Sequence, residues 1–365
     1  PRPPSSVRGS LRSLPISDFR LPTFYPSRLN SANRERGAIS KQPPLETSFK
    51  ATLLHPSNRI LLLCLGYYVL MALVTPGFFT VNNSWNLLYN FLPLLIIAVG
   101  QTFVMLTAGI DLSVTAMVAL ASVAGGYVMS SDTSPFANQG LAIAGGVLAM
   151  LLTGLLVGAF NGVAVARLKM PAFMVTLTSM IFFSGLAVWF TESQNLYNLP
   201  AAFVDFPYRS WLGVPLPVYA GAVLFGLAWF LLNKTIYGEW IYAVGVNQRT
   251  ALISGVPVER TLILVYIISG IGAAAGAVLY TARLETGSPV MGQNILLDVI
   301  GAVVIGGTSL FGGKGQLLWT AAGALLMTML DNSLNLLGLS FFIIMIVKGA
   351  IILLTALLNA IQELS

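Results

Sequence analysis

The 365-residue sequence has very little charge: Asp, Glu, Lys and Arg together make up 9% of it. Soluble domains carry about 25% charged residues, which they need to cover a surface that faces water. Apolar residues make up 56% of this chain, so its natural solvent is lipid rather than water. The low charge excludes an ordinary soluble domain and indicates an integral membrane protein.

Cysteine and histidine are nearly absent, with one residue of each type, Cys64 and His55. A single cysteine cannot form an internal disulfide, and this pair cannot supply a His/Cys metal cluster. An intramembrane serine protease would need a histidine inside a span, and His55 precedes the first apolar run. A paired-aspartate mechanism needs facing carboxylates, and neither usual aspartyl signature is complete. These absences argue against an enzyme and predict no metal or other cofactor in this chain.

The positive charge lies at one end. Residues 1–50 hold nine Lys or Arg and three Asp or Glu, a net charge of +6 that equals that of the whole sequence. The remainder is neutral overall, so the basicity does not indicate a nucleic-acid partner. The stretch is rich in Pro, Ser and Arg and lacks periodicity, so we expect residues 1–55 to form a disordered basic tail. Because the sequence begins with Pro1, we expect a fragment or a misassigned start rather than a transit peptide.

What the sequence does contain is long apolar runs. A helix needs roughly 20 such residues to cross roughly 30 Å of hydrocarbon. Ten runs fit this requirement, the eighth being short with glycine-rich ends: 60–79, 87–108, 112–130, 140–166, 171–190, 214–232, 261–281, 296–311, 316–335 and 341–361. We therefore predict an all-α membrane protein in which residues 56–365 form about ten transmembrane helices.

Basic residues in the short loops predict the orientation. With an even number of spans they fall on one side of the membrane: Arg59, Arg167, Lys169, Lys234, Arg249, Arg260 and Lys314. Lys and Arg are enriched in cytoplasmic loops, so this side and both chain termini are expected to be cytoplasmic.

Glycines recur at helical spacing in two spans. Gly154, Gly158 and Gly162 form overlapping GxxxG patterns, and Gly272 with Gly276 forms another. In lipid, helices associate through close backbone approach, which glycine permits. The pattern predicts tightly packed helices and does not identify a substrate.

A second glycine-rich stretch, "GGTSLFGGKG" at 306–315, invites comparison with a phosphate-binding loop. A Walker A loop requires glycine at position 308 and a hydroxyl at position 315, where this chain has Thr308 and Gly315. We interpret it as a helix break at the cytoplasmic face, with packing glycines at Gly306, Gly307, Gly312 and Gly313.

Polar residues at membrane depth concentrate in "AVGQTFVMLTAGIDLSV" at 98–114, and such residues often mark transport pathways. The candidates for the translocation pathway are Gln101, Thr102, Thr107, Asp111 and Ser113. For Asp111, an N-cap role at the following helix is favoured over substrate contact. For Gln101 and Thr102, lining a pathway and bonding between helices remain equal alternatives.

Residues 233–260 form the longest cytoplasmic loop. We predict a short helix from Ala243 to Gly255, with Asn247 near its start, Gly255 at its C-cap and Pro257 stopping it. The segment is either a docking site for a soluble partner or merely a solvated loop.

Three stretches carry a family resemblance: "GQTFVMLTAGIDLSV" (100–114), "YAVGVNQRTALISGV" (242–256) and "DVIGAVVIGGTSLFGGKG" (298–315). Two further stretches, 161–180 and 331–354, look similar. Over roughly residues 60–361 the chain resembles the permease subunits of bacterial sugar ABC importers of the ribose type. The resemblance implies the ten-helix importer fold of the ribose/vitamin B12 type, in which two permease chains form the pathway.

The resemblance also implies partners. A periplasmic binding protein delivers the sugar, and two cytosolic ATPases bind Mg-ATP. The loop between the sixth and seventh spans couples to the ATPase in this family, which maps onto Gly245, Asn247, Ala251, Ser254 and Gly255. The chain departs from the family pattern at Thr115, Val246, Thr250 and Glu239, which leaves the details of ATPase docking open.

These observations predict the inner-membrane permease subunit of a monosaccharide ABC importer, possessing no ATPase activity of its own. Three alternatives remain: a permease for branched-chain amino acids or another small polar solute, an ion-coupled secondary transporter, and a membrane scaffold. Ion coupling calls for an ionisable residue within a span, for which Lys348 is the candidate, although Lys348 also fits the family's "VKG". The sugar and the homo- or heterodimeric state of the permease pair are left open.

Overall fold

The computed structural model describes residues 59–364, which are mostly helical, whereas the predicted tail of residues 1–55 lies outside the described residues. In chain order the helices are α1 (Arg59–Val74), α2 (Val81–Leu106), α3 (Val114–Met129), α4 (Gln139–Ala166), α5 (Ala172–Phe190), α6 (Ala201–Val204), α7 (Leu216–Lys234), α8 (Ile236–Val246), α9 (Gln248–Ile253), α10 (Val258–Leu284), α11 (Ile295–Ile305), α12 (Leu317–Leu336) and α13 (Phe341–Leu364).

Between α6 and α7 lie a 3₁₀ turn (Phe206–Tyr208) and a hairpin of two-residue strands. Strands β1 (Ser210–Trp211) and β2 (Val214–Pro215) pair antiparallel, with Ser210 opposite Pro215. Gly213 completes the tight turn between them at a φ of +76°, a conformation that glycine adopts without strain.

Five helices in the described part of the chain are long and apolar enough to cross a membrane: α2, α4, α5, α7 and α10. Large apolar side chains on their outer faces are exposed, as expected where lipid is the solvent; examples are Ile181 (65% exposed), Trp189 (75%) and Leu227 (61%). The prediction of an all-α membrane protein is confirmed. Each of the ten predicted runs contains one main helix, and their number as membrane spans stays a prediction.

Two helix boundaries differ most from the sequence prediction. Helix α2 begins at Val81 rather than near 87, because the Thr80 hydroxyl accepts the backbone N–H of Asn83 (3.3 Å) and caps an earlier first turn. Helix α11 ends at Ile305 rather than near 311, because the glycine-rich stretch that follows leaves helical geometry, with Gly307 at a φ of +80°.

Helix α10 lies at the centre of the bundle and packs against α2, α3 and α4. On the side facing α4, a Cβ on Gly270 would overlap the carbonyl oxygen of Gly154, and one on Gly158 would overlap that of Tyr266. On the side facing α2, a Cβ on Gly100 would lie 2.9 Å from the Cα of Ser269. The glycine spacing thus brings three helices into backbone contact, as the sequence predicts.

We expect Gly270→Ala to destabilise the bundle by about 1–3 kcal/mol, because its methyl group must push α4 away from α10. Gly226→Ala in α7 is the matched control, because no atom lies within 4 Å of its added Cβ. The free energy of unfolding in mixed detergent micelles measures both effects. Equal unfolding of the two variants would contradict the close approach of α4 and α10.

Candidate functional site

The predicted pathway residues lie at the break between α2 and α3. Helix α2 ends at Leu106, Ala108 adopts a positive φ of 61°, and α3 begins at Val114. The five predicted side chains are at most 2% exposed within this chain: Gln101, Thr102, Thr107, Asp111 and Ser113. The break therefore has a buried polar interior in this conformation.

The Asp111 carboxylate organises this interior. One oxygen accepts from the backbone N–H (3.0 Å) and the hydroxyl (2.6 Å) of Ser113, and the other accepts from the Ser269 hydroxyl of α10 (2.8 Å). The Asn161 amide of α4 donates to the Ser113 hydroxyl (2.8 Å) and accepts from Ser179 of α5. The favoured reading of Asp111 as the N-cap is wrong, because Ser113 is the N-cap of α3 and Asp111 lies two residues before it, accepting the Ser113 N–H from outside the helix.

Gln101 and Thr102 bond to protein groups around the break. The orientation of the Gln101 amide that satisfies both its nitrogen and its oxygen lets it donate to the Asp111 carbonyl (3.1 Å) and accept from the Asp111 N–H (3.2 Å). Thr102 donates to the Ala98 carbonyl (2.8 Å), and its hydroxyl lies 2.9 Å from that of Thr320 in α12. Here Thr102 bonds between helices, whereas a role in the pathway stays a prediction for all five residues.

The segment 233–260 folds into two short helices instead of the single one predicted from Ala243 to Gly255. Ala243 belongs to α8, and Asn247 is extended (φ −162°, ψ 109°). The Asn247 side chain accepts the N–H of Thr250 (3.0 Å), so the same residue ends α8 and caps α9. Gly255 follows α9 at a φ of +84°, which agrees with its predicted place at the helix end.

The residues predicted to couple to an ATPase fall into two groups. Gly245 and Ala251 are buried, whereas Asn247, Ser254 and Gly255 are exposed. Beside the exposed group lie apolar residues that sequence reasoning missed, Leu252 (64% exposed) and Ile253 (88%). The apolar run Ala251-Leu252-Ile253, which ends a six-residue helix that begins with three polar residues, is the signal that could have found them.

Glycines join α8 to the break after α2. A Cβ on Gly245 would overlap the Leu106 carbonyl oxygen, and a Cβ on Gly312 would lie 2.7 Å from the Ala108 nitrogen. The Gly313 N–H donates to the Leu106 carbonyl (2.9 Å). We call Gly245, Gly312 and Gly313 the glycine junction. It puts the end of α2 in backbone contact with both the segment 233–260 and the stretch 306–315.

The other two glycines of the stretch 306–315 have different roles. A Cβ on Gly306 would lie 2.7 Å from the carbonyl oxygen of Trp319, so Gly306 lets α11 and α12 approach closely. Gly307 supplies a positive φ of 80° just after α11. Tyr242 anchors the other end of the stretch by donating its hydroxyl to the Gly315 carbonyl (2.7 Å). The helix breaks here, and Gly306, Gly312 and Gly313 lie against neighbouring backbone or side chains, whereas the prediction of a packing role for Gly307 is wrong, because nothing lies within 4 Å of its added Cβ.

Three charged residues that the sequence showed only as isolated positions meet in one ionic cluster. The Lys348 Nζ of α13 lies 2.7 Å from Asp331 Oδ1 of α12. It also lies 2.9 Å from Oδ1 and 3.1 Å from Oδ2 of Asp298 in α11. Of these two oxygens, only Oδ2 is well aligned for a hydrogen bond. Charges inside a bundle are costly unless paired, and this pairing joins α11, α12 and α13.

The side chains of the described residues do not indicate a metal-binding site. Within residues 59–364, no group of three or more His, Cys, Asp or Glu side chains lies close enough together to hold a metal ion. The ionic cluster has two carboxylates, and the Lys348 ammonium already lies between them.

The chain matches known proteins over most of its length. The family described as "Branched-chain amino acid transport system / permease component" matches residues 83–356. The ribose import permease protein RbsC of Escherichia coli (strain K12) is 38% identical over 320 residues, 85% of this chain and 95% of that protein. No solved structure matches the chain.

Two other relatives are similar in extent. The ribose import permease protein RbsC of Bacillus subtilis (strain 168) is 38% identical, covering 81% of this chain and 91% of that protein. The D-allose transport system permease protein AlsC of Escherichia coli (strain K12) is 33% identical, covering 76% of this chain and 82% of that protein. The matched region includes all of α2 except its first two residues, all of α10, the segment 233–260 and the ionic cluster.

We expect Lys348→Met to lower the free energy of unfolding by about 3–5 kcal/mol, because it leaves two carboxylates without their shared cation. Lys314→Met is the control, since Lys314 is exposed and no ion pair joins it to another described residue. Denaturant titration of the purified protein measures both. If Lys348→Met lowered the free energy of unfolding no more than the control does, the cluster would not stabilise the fold.

Proposed function

The chain belongs to the family of branched-chain amino acid transport system permease components, and we propose that it is the permease subunit of an ATP-driven monosaccharide importer in the bacterial inner membrane. The observation that carries the proposal is 33–38% identity to ribose and D-allose permeases over three quarters or more of the chain. The buried polar break and the close-packed bundle are features that a transport pathway can use.

The proposal includes three partners. A second permease chain completes the pathway, cytosolic ATPases bind and hydrolyse Mg-ATP, and a periplasmic binding protein delivers the sugar. The failure of "GGTSLFGGKG" to match a nucleotide loop supports placing ATP on another chain. The distribution of Lys and Arg among the loops supports both termini being cytoplasmic, with α8 and α9 on the same side.

The segment 233–260 is proposed to receive the ATPase. Leu252 and Ile253 offer an exposed apolar surface, and Asn247, Ser254 and Gly255 surround it. An exposed apolar patch rimmed by polar groups is typical of a protein interface. Such a surface favours docking over a merely solvated loop.

The proposed mechanism is alternating access. Closure of the ATPase dimer moves α8 and α9, and the glycine junction passes this movement to the end of α2 by backbone contact. The Asp111 hydrogen bonds connect that break to α4, α5 and α10. Movement of the segment 233–260 therefore reaches the centre of the bundle through close-packed contacts.

Import of a branched-chain amino acid is the second candidate, and the family's own description favours it. The names of the more similar relatives favour a sugar. An ion-coupled carrier has less support, since both carboxylates beside Lys348 are engaged in ion pairs with it. The solute bound by the cognate binding protein distinguishes the two importer candidates.

Reconstitution tests the proposed function. We expect proteoliposomes to take up ribose, allose or arabinose only when the permease, the ATPase, the binding protein and ATP are all present. Omission of ATP from the complete system is the control. Uptake by this chain alone under an ion gradient would contradict the proposal, and uptake of leucine instead of a sugar would favour the second candidate.

Gly255→Leu tests whether the segment 233–260 receives the ATPase. We expect weaker ATPase co-purification and lower ATP turnover, because a branched side chain at a φ of +84° distorts the exposed end of α9. Gly213→Leu is the matched control, with a φ of +76° and equally free surroundings in the β1–β2 hairpin. Unchanged co-purification and turnover in Gly255→Leu would place the ATPase contact elsewhere.

A further inference from the structure

A polar cleft lies at the far end of α10 from α9. It has a volume of about 280 Å³ and is bounded by α2, α10, α11, α12 and α13. Tyr280, near the C-terminal end of α10, lines it, whereas α9 precedes the N-terminal end of that helix. In the proposed orientation this end of the bundle faces the periplasm.

The ionic cluster forms one wall of this cleft, and amides complete its polar lining. Asp298, Asp331 and Lys348 lie beside Asn294 and Asn335. The three charged side chains carry a net charge of −1, since two carboxylates surround one ammonium group. Such charges are retained in a membrane bundle mainly where they meet a substrate, an ion or water.

Some polar atoms that line the cleft have no hydrogen-bond partner among the described residues. Lys348 directs its ammonium group at Asp331 Oδ1 and at both oxygens of Asp298. Asp331 Oδ2 and the Asn294 side chain bond to no group in the described part of the chain. The Asp331 side chain is 49% exposed, against 18% for Asp298, so a free acceptor and a free amide open into the cleft.

We propose that this cleft receives the sugar: Asp331 accepts hydrogen bonds from sugar hydroxyls, the Asn294 amide both donates and accepts, and Lys348 positions Asp331. This inference rests on the proposed function. A neutral sugar offers hydroxyl groups that can donate to a carboxylate and accept from an amide, as these free groups require. Apolar side chains in the same lining, including Leu94 and Met327, suit the C–H faces of the ring.

The same geometry disfavours charged occupants. The Lys348 ammonium lies where the two carboxylates would otherwise hold a cation. An amino acid brings an ammonium group, which the Asp331 carboxylate would attract, together with a carboxylate, which the net negative charge would repel, so its two charges do not both fit the cluster. A neutral polyhydroxyl compound avoids both conflicts.

The test uses the complete complex in proteoliposomes, with whichever of ribose, allose or arabinose the wild type takes up fastest. Asp331→Asn removes the carboxylate that carries the free Oδ2, and Asn294→Ala removes an amide that no bond within the described residues engages. We expect Asp331→Asn to lower sugar uptake at least roughly tenfold, as for loss of one hydrogen bond to a charged group. Asn294→Ala should lower uptake severalfold. ATP turnover stimulated by the loaded binding protein should stay within about twofold in both, since assembly is intact.

Asp205→Asn is the matched control, because Asp205 is exposed and pairs only loosely with Arg209 (3.9 Å). Wild-type uptake from both variants would overturn the sugar cleft and leave the importer function standing. If Asp331→Asn lost sugar uptake and ATP turnover equally while Asn294→Ala behaved normally, Asp331 would have a structural role. That result would also overturn the sugar cleft. Loss of wild-type uptake when choline replaces Na⁺ and K⁺ would identify a cation site instead. Failure of the wild type to transport any sugar would overturn the proposed function itself.

Discussion

The approach of α10 to its neighbours without intervening side chains is the constraint on which the rest of the bundle depends. Gly154 and Gly270 meet backbone to backbone, and Gly100 faces Ser269 on an adjacent side of α10. Because α2 and α4 lie this close, the hydrogen bonds around Asp111 can reach from α3 to α4 and α10. Wider helix spacing would leave these buried polar groups unpaired, at a cost that lipid cannot relieve.

Glycine has a second use at the docking end. In the bundle centre it lets regular helices approach, whereas at the glycine junction it joins segments of different geometry: the end of α8, the end of α2 and an irregular stretch. A side chain there would hold these segments apart. Direct backbone contact instead makes the docking segment and the polar break move together.

Much of the architecture follows from the sequence. Low charge and long apolar runs predict a helical membrane protein, and the spacing of Gly154, Gly158 and Gly162 predicts close packing. The ionic cluster could not be predicted, because Asp298, Asp331 and Lys348 lie on three helices whose rotation sequence periodicity does not specify. The division of the segment 243–255 was missed because only the backbone shows that Asn247 both ends and begins a helix.

The position of the α4 contact along α10 has a mechanical consequence. Gly270 lies 12 residues after the start of this 27-residue helix and 14 before its end. At 1.5 Å per residue the two arms are roughly 18 and 21 Å long. A rigid rod that pivots near its midpoint swings its two ends in opposite directions through similar distances. A tilt about this contact would therefore move the α9 end and the Tyr280 end of α10 through similar distances in opposite directions.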